Sequence, residues 1–313
     1  ERVGRGGPWR TISYSGMRRD ADAVAQWLLD QRIPKGRSVL ILSGNSIAHA
    51  TLKFGAMAAR VPGCPVSVNY ALMPGDFGRL RQAVTFKRAL EGVDFGDAIV
   101  VTDDPAALSR PAVAWSQVLA TPVTPAVAES IAAIQPHELA TYMLTSGSTS
   151  LPKAVIQTQR MLASNLAQGR QVLGQTAGWN DVMLDWLPWN HVSGAYTLMG
   201  TLTSGGTLYI DGGRPMPGQF DESLRNLKEV APKFYVNVPF GYAMLADALE
   251  KDAELRQRFF GSVRLALYGG AGLPQALYDR FQQLAVETVG ERIFFTTGYG
   301  ATETSSGCMA IYF

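Results

Sequence analysis

The residues Thr145-Ser146-Gly147-Ser148-Thr149-Ser150-Leu151-Pro152-Lys153 come directly after an apolar run, Thr141 to Leu144, and ahead of a helix-like stretch. An apolar run that opens into hydroxyls, a glycine and a lysine reads as a buried strand ending in an anion cradle. Hydroxyl and backbone N–H groups donate to phosphate oxygens, glycine lets the backbone approach, and an ammonium offsets charge that develops in a transition state. The order is not that of a Walker loop, because no second glycine precedes Lys153 and Ala154 follows it. On composition alone a solvated turn with a surface lysine is the better reading, so the surroundings of the loop have to decide.

Outward from this loop, strand and helix patterns alternate. Towards the N-terminus, Met17, Val24, Trp27 and Leu28 recur at helical spacing, a break at Ile33-Pro34-Lys35-Gly36 follows, and Val39 to Leu42 is a continuous apolar run. A helix near His49 to Ala59 and strands at Cys64 to Val68 and Ala98 to Thr102 continue the pattern, and Pro105 to Gln135 is a Pro- and Ala-rich linker or surface segment. Towards the C-terminus the strand candidates are Val182 to Trp186, Thr207 to Ile210, Phe234 to Val238, Leu265 to Tyr268 and Arg292 to Thr297. Between them Leu224 to Val230, Tyr242 to Leu249 and Gln275 to Val286 have helical period. The expected fold class is therefore α/β, layered βαβ sheets covered by helices. Ligands of such sheets sit beyond the carboxyl ends of strands, which singles out the loops after Leu144, Trp186, Val238, Tyr268 and Thr297.

Composition narrows the class. The 313 residues are 47% hydrophobic and 17% charged, which excludes a disordered chain, collagen and a coiled coil. A formal charge of +2 supplies no field to gather a polyanion, so no nucleic-acid partner is expected. Cys64 and Cys308 alone cannot build a disulfide framework, which points to a reducing, cytoplasmic compartment. The three His (His49, His137, His191) lack HExxH spacing, and the apolar stretch from Val192 to Ile210 is cut by Gly and Ser, so no membrane span is expected. Nothing in the pattern speaks to oligomeric state.

Three more strand-end loops carry residues capable of chemistry: Pro188-Trp189-Asn190-His191-Val192-Ser193-Gly194, Tyr268-Gly269-Gly270-Ala271-Gly272, and Thr297-Gly298-Tyr299-Gly300-Ala301-Thr302-Glu303. Singly, His191 is a helix-start histidine, the glycines are turns, Tyr299 is core and Glu303 a surface carboxylate. Together and in this order they resemble the adenylate-forming (AMP-binding, acyl-CoA synthetase) superfamily, which includes acyl-CoA synthetases, luciferases and the adenylation domains of peptide synthetases. The family's phosphate loop is T-S-G-[ST]-T-G-x-P-K, and Ser150 stands where it usually has Gly. If that Gly has positive φ, Ser costs about 1 to 2 kcal/mol there.

The resemblance implies roles. Thr145, Ser146, Gly147, Ser148, Thr149 and Lys153 would hold the phosphates of ATP. The backbone of Gly269, Gly270 and Ala271 would edge the adenine, Tyr299 beside Gly300 would stack on it, Thr302 would hold the α-phosphate and Glu303 would help hold Mg²⁺. An aromatic platform beside glycines makes a flat slot for a purine, and a carboxylate beside phosphate attracts the metal. His191 would line the carboxylate pocket and gate a thiol tunnel, with Asn237, Tyr242 and Gly298 completing the acid site. Lys153, His191, Thr302 and Glu303 form the implied catalytic set. A carboxylate would attack the α-phosphorus of ATP, releasing pyrophosphate, and the thiol of CoA would then displace AMP.

Within the superfamily, Val68-Asn69-Tyr70-Ala71-Leu72-Met73 and the loop around His191 look most like feruloyl-CoA synthases, which activate hydroxycinnamic acids. The absence of a carboxylate soon after Asn190 argues against an α-amino acid. Other readings are a medium-chain fatty acyl-CoA synthetase, an adenylation domain that loads a carrier protein, and a non-catalytic nucleotide-binding domain, which Ser150 keeps open. Residues 1–313 correspond by this resemblance to an incomplete N-terminal adenylate-forming domain of two α/β subdomains. The small C-terminal domain that carries a further lysine in the family is not in this stretch. At Ala83-Val84-Thr85-Phe86 one helix-like stretch runs into another where the family has an intervening strand.

Overall fold

Ser13, Ser46 and Thr124 cap helices of the N-terminal half, and short runs of branched residues make its strands. The computed structural model describes residues 1–34, 36–67, 101–102, 106, 112–145, 153–173 and 181–311. Two compact units divide the chain, one of Thr11–Ala163 with Pro188–Val192, the other of Glu1–Arg10, Ser164–Leu187 and Ser193–Phe313.

In the first unit α1 (Tyr14–Asp30) is capped by Ser13, whose hydroxyl accepts from Gly16 N. There follow β1 (Val39–Leu42), α2 (Ile47–Ala58, capped by Ser46), β2 (Gly63–Val66), β3 (Val101–Thr102), β4 (Val113–Ala114), α3 (Trp115–Leu119) and α4 (Pro125–Ala132), then β5 (Leu139–Thr145) and β6 (Lys153–Thr158). The sheet order is β1-β2-β5-β6, parallel except for the β5–β6 pair. Val24, Leu28, Ile41, Leu52 and Ala56 form its core together with Val118 of α3 and Val127 of α4.

Two expectations are corrected here. The described part of the segment from Pro105 to Gln135, residues 112–135, is a surface segment but not a bare linker: most of its side chains are exposed, yet Val118 and Val127 are buried, and Gln26 Oε1 accepts from both the amide and the hydroxyl of Thr124. Its alanines at 126, 128 and 132 are helix material, and Pro125 sits in the first turn of α4, where a missing N–H costs nothing. The stretch after Lys153 is a strand before it is a helix, since Lys153 to Thr158 pairs antiparallel with β5 and α5 (Gln159–Leu173) begins only afterwards. Val155, Ile156 and Thr158 are β-branched and suit a pleated pair better than a helix.

The second unit continues with β7 (Val182–Asp185), α6 (Val192–Thr203), β8 (Thr207–Ile210), α7 (Phe220–Glu229), β9 (Phe234–Asn237), α8 (Pro239–Lys251), α9 (Ala253–Ser262), β10 (Leu265–Tyr268), α10 (Gln275–Val289), β11 (Phe294–Ala301) and β12 (Ser306–Ile311). Five strands are parallel in the order β11-β10-β9-β7-β8, and β12 closes one edge antiparallel to β11. Tyr235, Tyr242, Phe259, Phe281 and Phe295 pack edge to face or tilted at centroid separations of 4.8 to 5.9 Å, an aromatic core that ties β9, α8, α9, α10 and β11 together. The first ten residues belong to this unit. The Arg2 guanidinium lies 4.1 Å from the Trp9 ring centroid, donates to Asn226 Oδ1 at 2.8 Å and pairs with Glu229 at 2.6 Å. Among the described residues no helix is long and apolar enough to cross a membrane.

Lys53 on α2 is buried one turn from His49, and burial brings its pKa down to about 8. Burial, with Lys53 next, takes His49 to about 4, so His49 stays neutral across the range concerned. Below pH 8 Lys53 is charged in both folded and unfolded chain, and the full cost of burying that charge weighs on the fold. Between 8 and 10.5 the folded protein sheds the proton first and the cost fades. Lys53→Met is therefore expected to stabilise by about 2 kcal/mol at pH 7, and the gain should shrink towards zero by pH 10.5 in denaturant unfolding curves at several pH values.

Candidate functional site

The carboxyl ends of the parallel strands in the second unit are held side by side by a row of hydrogen bonds. Thr297 Oγ1 donates to Tyr268 O at 2.8 Å, tying β11 to β10, and Gly269 N donates to Asn237 O at 3.3 Å, tying β10 to β9. Trp186 Nε1 donates to Asn237 Oδ1 at 3.1 Å, tying β9 to the end of β7. Asn237 is buried and fully engaged: the same oxygen accepts from Val238 N at 2.8 Å, and Nδ2 donates to Tyr235 Oη at 2.8 Å. Its carboxamide fits beneath the first turn of α8 because residue 241 is glycine, where a Cβ would collide with it.

Tyr268↔Thr297 is an in-register pair, so the loop Gly269-Gly270-Ala271 and the strand end Gly298-Tyr299-Gly300 lie next to each other. All six are exposed or half-exposed, and Tyr299 presents 68% of its surface to solvent. The pairing of β11 with β12 shifts between Tyr299 and Gly300. At Gly300 a Cβ would run into Ser306 O, so the bulge that turns Tyr299 outward depends on this glycine. A 3-10 turn over Thr302–Thr304 follows, with Glu303 exposed and Thr302 half-exposed. Thr304 pins that turn: its hydroxyl accepts from Ala301 N at 2.9 Å and donates to Ser306 O at 2.7 Å, and Ser305 takes a left-handed conformation with φ of 62°. Glycine edge, exposed aromatic face, threonine and carboxylate thus line two adjacent strand ends.

The first unit carries the other predicted residues. Thr145 and Lys153 face each other across the mouth of the β5–β6 hairpin, where Thr145 Oγ1 donates to Lys153 O at 3.5 Å, and Lys153 is exposed. Ser146, Gly147, Ser148, Thr149 and Ser150 lie outside the described residues, as do Val68 to Met73 and Ala83 to Phe86. His191 is exposed, its amide donates to Pro188 O at 2.9 Å, and partial burial pulls its pKa below the ordinary value. Its loop is anchored by Trp189, whose amide donates to Asn45 Oδ1 at 3.0 Å and whose buried ring meets His49 edge-on at 5.2 Å.

Two expected acid-site residues are placed differently from the sequence reading. Tyr242 has no exposed surface; its ring packs on Tyr235, Phe281 and Phe295, and its hydroxyl is within 3.0 Å of Tyr235 O and Leu267 O, both acceptors. The first turn of α8 rotates it into the core. Asn237 points inward and spends its polar atoms on protein groups. Two residues went unnoticed in the sequence, Trp186 and Asp185. The signal for Asp185 was an acid ending the otherwise apolar strand Val182-Met183-Leu184.

Among the described residues no three His, Cys, Asp or Glu side chains gather into a metal cage. A lone exposed carboxylate such as Glu303 suits Mg²⁺ held chiefly by phosphate oxygens, since that ion keeps most of its ligands from water and substrate.

A family model described as AMP-binding enzyme matches residues 2–312. The chain is 22% identical over 304 residues to the putative acyl–CoA ligase YdaB of Bacillus subtilis, a match covering 94% of this chain and 56% of that protein. It is 29% identical over 185 residues to 4-coumarate–CoA ligase 4 of Arabidopsis thaliana, covering 58% of this chain and 30% of the relative. Among solved structures, o-succinylbenzoate coenzyme A synthetase from Bacillus subtilis in complex with AMP superimposes with a TM-score of 0.72 at 20% identity, covering 97% of this chain and 57% of that one. The likeness in structure establishes the same α/β fold. The chain spans little more than half the length of these proteins, or less.

Asp185 supplies a test of the strand-end architecture. Burial raises its carboxyl to about 8, opposed by the 3.2 Å hydrogen bond from Leu187 N and reinforced by Asp211. The folded chain therefore keeps this proton after the unfolded chain has lost it, so stability falls as pH rises from about 4 to 8. Asp185→Asn should match wild type near pH 4 and exceed it by a margin that grows to pH 8; melting curves at pH 4, 6 and 8 that stay parallel would rule out a protonated Asp185.

Proposed function

The chain belongs to the AMP-binding enzyme family, and from that premise we propose that it is the nucleotide- and acid-binding part of an ATP-dependent carboxylic acid–CoA ligase. Its acid is aryl or hydroxycinnamic, activated as an acyl-adenylate. The observation that carries the reading is the side-by-side setting of Gly269 to Ala271, exposed Tyr299, Thr302 and Glu303 on two in-register strand ends. A purine ring laid on Tyr299 has the Gly269-Gly270-Ala271 backbone along its edge and points its phosphates towards Thr302 and Glu303. The likeness to 4-coumarate–CoA ligase supports an aryl acid.

In this reading a carboxylate oxygen of the acid bonds to the α-phosphorus and the bond to the β-phosphate oxygen breaks, releasing pyrophosphate. Lys153 and the hydroxyls of Thr145, Ser146, Ser148 and Thr149 neutralise and grip the phosphates, with Gly147 allowing close approach. Thr302 donates to the α-phosphate, where charge builds in the transition state. Mg²⁺, when bound beside Glu303, supplies further charge neutralisation. His191 lines the acid pocket, and Gly298 leaves room beside Tyr299 for the acyl group. In the second step the CoA sulfur bonds to the acyl carbon and AMP leaves. A cytoplasmic setting agrees with two free cysteines, Cys64 and Cys308.

The test is ferulate-dependent exchange of labelled pyrophosphate into ATP by the full-length protein. Lys153→Ala and Glu303→Ala should each lower the exchange rate by about 10- to 100-fold with melting temperatures close to wild type. Exchange at the wild-type rate in both variants would remove the site assignment. Conversion of feruloyl-adenylate to the CoA thioester, followed by chromatography, separates a CoA ligase from a carrier-loading domain.

A further inference from the structure

Asn237 and Trp186 carry an inference that rests on the acid-activating reading above and deepens it. Trp186 follows β7 and stands half-buried at the carboxyl edge of the sheet, beside Asn237 on the neighbouring strand. Its one polar atom, the indole N–H, is turned inward and tied to Asn237 Oδ1 at 3.1 Å. With that atom engaged, what the half-buried side chain can offer a ligand is aromatic surface alone. Asn237 cannot reach a ligand itself, being buried beneath Gly241 with its amide donating to Tyr235 Oη. The indole is thus held at one angle by a group that is itself held from below, which is how a specificity surface is kept rigid. Val238, beside Gly270 at 3.8 Å from its Cβ position, continues the same edge of strand ends with an aliphatic face.

We infer that Trp186 is the aromatic wall that selects a planar aryl acid, and that Asn237 is a positioning residue acting through it. A flat ring packs on an indole over its whole face, whereas a flexible alkyl chain must give up rotamer freedom to do so. Selection between the two follows from the fixed orientation of Trp186.

The test is calorimetric titration of the full-length protein with ferulate and with octanoate, without ATP, and with ATP alone. Trp186→Ala should weaken ferulate by about tenfold and lower the ferulate-to-octanoate affinity ratio by a similar factor, with ATP affinity within about twofold of wild type. Trp186→Phe, which keeps a ring and guards against misfolding, should fall between. Asn237→Ala should reproduce part of the loss in the wild-type background and add nothing in the Trp186→Ala background. Ferulate binding that ignores Trp186, an equal cost of Asn237→Ala in both backgrounds, or no ferulate binding by the wild type would each overturn the inference. Trp186-dependent binding without pyrophosphate exchange would keep the aromatic wall and remove the ligase reading. Exchange without Trp186 dependence would do the reverse.

Discussion

A buried carboxamide that must find partners for every polar atom dictates the working edge of the larger sheet. Asn237 meets the demand by joining three strand ends: its backbone oxygen takes the amide of Gly269, its side-chain oxygen takes the indole of Trp186, and its amide nitrogen gives to Tyr235. An unmade hydrogen bond at such a site costs on the order of 1 to 3 kcal/mol, so the three ends are locked in relative height and angle. Gly241 is the steric counterpart, since any side chain there would displace the carboxamide and loosen its ties to Trp186 and Tyr235. The glycine edge after β10 and the aromatic face after β11 inherit their spacing from this lock through the Thr297 to Tyr268 bond.

The same region shows how polar burial can serve geometry at a cost in stability. Asp185 ends β7 with a carboxyl that burial raises to about 8, while Asp211 nearby is satisfied by Ser223 at 2.5 Å, Asn226 at 2.8 Å and Gly213 N at 2.9 Å. A second acid close by in the core adds to the cost of ionising Asp185, on top of its burial. In the other unit Lys53 presents a comparable cost on α2.

Much of this was legible in the residues themselves. Four-residue apolar runs bounded by turns, such as Val39 to Leu42 and Leu265 to Tyr268, read as strands of a covered parallel sheet, and they are parallel strands. Strand-end loops rich in glycine and hydroxyls are equally visible, because a turn that approaches a ligand excludes other residues. What the pattern hides is where a side chain points once a strand has ended. Tyr242 and Asn237 lie a few residues apart in a loop-proximal stretch, yet one turn of helix sends the tyrosine into the aromatic core, and the pleat sends the asparagine under the helix. Helices α3 and α4 were hidden by proline and alanine, which signal a linker unless their partners, Gln26 and the first helix, are known. Strand β6 was hidden because a hairpin looks like a strand-to-helix turn until its antiparallel partner is found.

The clamp of Arg2 on Trp9 and Asn226 gives the second unit an unusual order of assembly. Arg2 and Asn226 are 224 residues apart in the chain. At ordinary rates of synthesis, roughly 10 to 45 s pass between the appearance of the first and that of the second. During that interval the whole intervening unit, with its own sheet and core, can form, while residues 1–10 have nowhere to dock. Closure of the second unit is then a late, long-range event that joins residues 1–10 to a helix made much later, so a chain whose synthesis has not reached that helix carries its Arg2–Trp9 hairpin as an unpaired, cationic and aromatic surface.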